Sequence, residues 1–121
     1  AIEAAVRHFG YAMPDDAEAD RLMIEDHLRP IASGLIDPVS GLRKFMADFF
    51  WNWENESNIG TFGEPIGVKD IVLDHYQLDD WLGFMPGFLD DPMQAQEVAD
   101  LKASIVSHAR QWVARHGETL G

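Results

Sequence analysis

Three histidines carry the strongest hint of chemistry in this chain. His27, His75 and His108 each fall on, or at the edge of, the apolar stripe of a different expected helix, and Asp79 lies four residues beyond His75. Three inward imidazoles with a carboxylate make a donor set for zinc or iron, and one of them could face haem. The plainer expectation gives each histidine a local partner at the edge of the core, as in a His75–Asp79 pair at i,i+4. Facing inward on three helices does not make three side chains converge. The sequence has no His-Glu-x-x-His, no Glu-x-x-His and no Asp-rich calcium loop.

Other constellations are weaker. Ser104 and His108 are four apart on the expected last helix, within hydrogen-bonding reach. A working nucleophile also needs an orienting acid and an oxyanion hole, and spacing places neither. Asp79-Asp80 and Asp90-Asp91 are adjacent pairs, and neighbours on a helix do not share a face. The Gly60–Gly67 stretch is glycine-rich but lacks the Lys-Ser/Thr ending of a phosphate loop, and Glu64 would repel phosphate. No cofactor is expected.

Aromatic residues that miss the core stripes are more informative. Trp51 falls on the far side of the Phe45/Phe49/Trp53 stripe. Trp81 and Leu73 fall among Asp70, Asp74, Gln77 and Asp80, away from the apolar face of their helix. Exposed tryptophan in an acidic patch is a hot-spot composition for protein binding. The competing reading is that another helix, or the segment 83–89, covers both tryptophans.

Charge points the same way. The chain has 121 residues, with 9 Lys plus Arg against 21 Asp plus Glu, a net charge of −12. Such acidity repels phosphates and anionic lipid, which disfavours direct nucleic-acid or membrane binding. Between Lys44 and Lys102 the only base is Lys69, whereas twelve acids lie from Asp48 to Asp100. A solvated face that keeps the protein soluble is the bland explanation, and a docking face for a basic partner is the sharper one. There is no cysteine, which removes disulfides and thiolate metal sites and fits a reducing, cytoplasmic compartment. No apolar run approaches the roughly 18 residues of a membrane helix.

The elements that must position these residues are helical. Residues 2–12 are weakly helical and could be frayed. Met13-Pro14-Asp15 reads as a helix start, and Pro30 should kink or stop that helix near Arg29, with Gly34 as terminator. Asp37-Pro38 is an N-cap acid followed by proline at the first helical position. Leu42, Phe45, Met46, Phe49, Phe50 and Trp53 then share one face, which marks a core helix. Residues 55–67 form an irregular Gly-rich loop with room for a short hairpin. Val68–Leu82 fits a helix, although Ile71-Val72-Leu73 alone could be a strand. Residues 83–89 cannot be helical throughout, and this apolar segment either tucks into the core or leaves aromatics exposed. Asp91-Pro92 starts the last helix, with Gln94 placed for a capping box and Val98, Leu101, Ile105, Ala109 and Trp112 as its stripe.

The expectation is therefore one all-α, bundle-like domain of four to five helices spanning 1–121. Its first expected function is protein binding: an acidic module, of the size and charge of inhibitors, immunity proteins and adaptors, docking a basic partner through Trp51, Asp70, Leu73, Asp74, Asp80 and Trp81. The alternative is a metal- or haem-binding enzyme or sensor built on His27, His75, Asp79 and His108.

Overall fold

The computed structural model describes residues 16–56 and 58–116. The expected helix over 2–12 and the Met13-Pro14-Asp15 start lie outside the described residues. Four helical rods follow. They are α1 (Asp16–Ala32), a second rod made of α2 (Pro38–Phe45) and α3 (Trp51–Asn55) joined by a π turn (Met46–Phe50), α4 (Lys69–Phe84) and α5 (Ala95–His116). There is no strand among the described residues, so the fold is all-α. No helix among them is long and apolar enough to cross a membrane.

Local chemistry explains most boundaries. Asp37 caps α2, its side chain accepting from the Ser40 backbone N–H at 3.0 Å, with Pro38 in the first turn. Of the kink or stop expected at Pro30, the stop does not occur; the helix runs to Ala32. Proline in this position leaves only the Asp26 carbonyl without its i+4 donor, and Asp26 is exposed, so solvent reaches that side. The end comes at Gly34 (φ +80°), where Leu35 N–H reaches the Pro30 carbonyl and Gly34 N–H the Ile31 carbonyl. That pair of bonds is a Schellman motif, and its left-handed residue suits glycine.

At the last helix, Asp91 accepts from Met93 N–H at 2.9 Å and starts a single 3₁₀ turn (Pro92–Gln94) before α5. The Asp91 N–H turns to the Phe88 carbonyl, so the expected capping box with Gln94 does not form. In the 55–67 loop a 3₁₀ turn (Glu64–Ile66) replaces the hairpin, and Ile71–Leu73 is helical. The loop is tied down from outside, by Trp112 Nε1–H donating to the Ile66 carbonyl at 3.0 Å.

The core is continuous. Helix α5 packs on α1, α2 and α4, and α1 packs on α2. Every expected stripe residue of the second rod and of α5 is buried, with Ile24, Leu28 and Ile31 of α1 and Ile71, Val72 and Leu78 of α4. Gly41 sits where α1 closes on α2: a Cβ there would lie 2.6 Å from Ile31 Cγ1 and 2.8 Å from Ile36 Cδ1. Phe88, from the segment after α4, completes the core at 1% exposure, while Phe84 a few residues earlier is 88% exposed. The 83–89 segment thus both tucks in and leaves an aromatic outside.

Candidate functional site

Helix α4 carries most of the residues singled out by sequence, and the fold sorts them onto three sides. Its outer side shows Asp70, Leu73, Gln77, Asp80 and Phe84, all exposed. These positions recur at spacings of three and four, which is one face of a helix. Neither Asp70 nor Asp80 has a basic side chain within ion-pair distance among the described residues.

Asp74 does not stand with them. It is buried and faces α5, which corrects the expectation of an exposed partner-binding acid. Asp74 falls three residues after Ile71 and four before Leu78, both core residues, so it shares their side. There it joins the two helices. Ser104 Oγ donates to Asp74 Oδ1 at 2.9 Å, and His108 Nδ1–H donates to Asp74 Oδ2 at 2.7 Å. Burial pushes the Asp74 carboxyl above the usual carboxylate range, although His108 and Ser104 pull the other way.

This cluster brings an acid to the Ser104–His108 pair, which spacing alone could not do. The geometry is nevertheless wrong for a nucleophile. An activated serine gives its proton to one ring nitrogen while the acid holds the other. Here Ser104 donates directly to the acid, and His108 presents the same Nδ1 to both, at 3.5 Å from Ser104 Oγ. The arrangement is a polar clamp between α4 and α5.

The other histidines are held separately. His27 Nδ1–H donates to the Met23 carbonyl at 2.8 Å, and its Nε2 lies 3.2 Å from Asp48. His75 Nε2 lies 3.3 Å from Asp79, the i,i+4 pair expected from sequence. His75 is buried, burial lowers its pKa, and its Nδ1 has no hydrogen-bond partner. The three imidazoles thus face three different carboxylates. Among the described residues no group of three or more His, Cys, Asp or Glu could hold a metal ion. The proposed donor set of His27, His75, Asp79 and His108 is not brought together.

The tryptophans are half covered, each by a different neighbour. Trp51 is 37% exposed and packs edge-on against His75 and Tyr76 of α4. A uniform helical wheel puts Trp51 opposite the core. The π turn before it spreads one turn over more residues, so the residues after it lag and Trp51 swings toward α4. Trp81 lies against Phe88, ring centroids 4.4 Å apart in an edge-to-face contact. Trp51, from the second rod, and Trp81, on α4 itself, are therefore held in different contacts.

Sequence reasoning flagged the apolar segment 83–89 but not the pocket it helps to form beyond α4. Trp81, Phe84, Met85 and Gln94 line a cavity of about 240 Å³. Met93 beside it is 86% exposed. The signal was the apolar run Phe84-Met85-Pro86-Gly87-Phe88-Leu89, of which only part can enter the core.

Comparison with known proteins finds no matching family model, no matching curated protein and no matching solved structure.

Proposed function

We propose that this protein is an acidic docking module that binds a basic protein partner through the outer side of α4. One observation carries the reading: Asp70, Leu73 and Asp80 stand exposed on one helix face, and neither acid is neutralised by a described base. Lys69 at the start of that helix is the only base between Lys44 and Lys102, and it leans toward Glu64 at 3.7 Å. Unpaired acids raise the encounter rate with a basic surface, and the apolar side chain between them supplies burial once docked. A cytoplasmic setting, as an inhibitor or adaptor of a basic protein, fits this chemistry.

The test is affinity capture with tagged protein at about 50 and 500 mM NaCl, using wild type and the triple variant Asp70→Asn, Leu73→Ala, Asp80→Asn. The expected outcome is a basic protein held by wild type at low salt, released at high salt and not held by the variant. All three positions are exposed, so the variant keeps its fold. Equal capture by both chains, or capture indifferent to salt, sinks the reading.

A further inference from the structure

We infer that the cavity at the C-terminal end of α4 is the anchor pocket for that partner, and that it takes one large apolar side chain from a basic amphipathic helix. The inference rests on the docking reading and adds the place and the chemistry of the anchor.

The pocket is built from apolar walls. Trp81, Phe84 and Met85 line it with Gln94, and Trp81 is braced from behind by Phe88, itself fully in the core. Its volume of about 240 Å³ falls below the roughly 300–1,000 Å³ of small-molecule and cofactor pockets. That space suits one or two side chains. Phe84 and Met93 are 88% and 86% exposed, the two barest large apolar side chains among the described residues.

Acids lie close to it along the chain: Asp80 is one helical turn before Phe84, and Asp90 and Asp91 lie in the turns that lead to Gln94, Asp91 accepting from Met93 N–H. Helix α4 has no basic residue in its last turn, so nothing described there offsets the negative end of its dipole. Pro86 has no N–H to give the Leu82 carbonyl, which leaves an acceptor at that end of the helix.

Charge decides between occupants. A second copy of this chain would bring the same neighbouring acids, in a molecule of net charge −12, and like charges would repel. An anionic lipid surface is repelled for the same reason. A helix with an apolar stripe and lysine or arginine on its flanks satisfies both features: the stripe fills the pocket, and the flanking cations meet the acids and the helix end.

The experiment compares two synthetic 18-residue peptides of equal positive charge at about 50 mM NaCl. One is an amphipathic Leu/Lys helix, and the other has serine in place of every leucine. Binding is read by tryptophan fluorescence and by amide and indole chemical shifts in the full chain. The Leu/Lys peptide should bind at least tenfold more tightly, with shifts centred on Trp81, Phe84, Met85 and Gln94. The double variant Phe84→Ala, Met93→Ala, at two exposed positions, should abolish that preference with an unchanged thermal melt. Equal salt-sensitive binding of both peptides overturns the anchor pocket and leaves the docking reading standing. Binding of neither peptide overturns both. Self-association of wild type that the double variant abolishes overturns the choice of occupant.

Discussion

The Asp74 clamp yields a prediction whose sign is set by the structure. Its carboxyl accepts from Ser104 and from His108, yet burial still holds its pKa above the ordinary range. The desolvation of the charged form therefore outweighs what its two partners return. An uncharged group of the same shape should be tolerated, whereas removal of the acceptor should not. In Asp74→Asn the amide oxygen can still accept one of the two bonds, and we expect a change within about 1 kcal/mol at pH 7. In Asp74→Ala two donors lose their acceptor in a part-buried site, and we expect a loss of about 2–4 kcal/mol, from roughly 1–3 for each bond and relief of the buried charge.

The pH dependence follows by linkage. A raised folded-state pKa means that the native state holds its proton where the unfolded state has lost it. Stability from this group is full below the unfolded value of about 3.9 and is lost as pH rises through the raised folded value. Wild type should therefore gain on Asp74→Asn as pH is lowered from 7 toward 4. Other carboxylates pull the opposite way: Asp37 and Asp48 have lowered pKa values, Asp37 through the Ser40 N–H and Asp48 through Lys44. Taking the difference between the two chains cancels them. Urea unfolding followed by tryptophan fluorescence at four pH values gives that difference directly. An Asp74→Asn variant as unstable as Asp74→Ala, or a wild-type advantage that grows as pH rises, would refute the argument.

Three further outcomes are expected. His75→Leu removes a buried imidazole whose pKa is lowered by burial and whose Nδ1 lacks a partner; the wild type loses stability as pH falls from 6.5 toward the lowered folded value, so the variant should gain on it between pH 7.5 and 5, by at most about 1.4 kcal/mol per pH unit, in urea melts. Gly41→Ala should lower stability by about 1–3 kcal/mol in the same assay, since its Cβ would meet Ile31 Cγ1 at 2.6 Å. Trp112→Phe should loosen the 58–67 loop by losing the bond to the Ile66 carbonyl, and hydrogen exchange should quicken there before the amides of α5 respond.

Much of this fold was legible because it is local. The Asp37-Pro38 start, the Leu42–Trp53 stripe and the Val98–Trp112 stripe depend on residues within a few turns of each other. What was not legible depends on neighbours. Asp74 reads as outward when α4 is given one apolar stripe, but α4 is buried by the second rod on one side and by α5 on another, so its inward arc is wider. The spacing of Asp74 from Ile71 and Leu78 held that signal. The π turn over Met46–Phe50 left no such mark, and it is what moves Trp51 off the surface stripe. Of the residues read as partner-binding, Asp70, Leu73 and Asp80 share one exposed face, while Asp74 belongs to the clamp, Trp51 to a contact with His75 and Tyr76, and Trp81 to a contact with Phe88.

The distribution of bases would give the proposed docking face its direction. Arg21 and Arg29 serve Glu18 and Glu25 along α1. Lys102 reaches Asp37 at 3.2 Å, and Arg110 Nε–H donates to the Ala32 carbonyl at 2.9 Å, so the cations of α5 bind the ends of α1 and α2. Lys102 and Arg110 thus tie α5 to the other helices, whereas Arg21 and Arg29 are paired within α1. Asp70, Asp80 and Asp90 are left without a described base within ion-pair distance. With these bases engaged elsewhere and Asp70 and Asp80 of α4 unpaired by any described base, a basic partner approaching by diffusion would be turned toward α4 before any apolar contact forms. Reversing the polarity locally, with Asp80→Lys and Asp90→Lys, should slow association strongly at low salt and little at high salt, because screening removes the long-range part of the field. A dissociation rate altered as much as the association rate would instead place those two acids inside the buried contact.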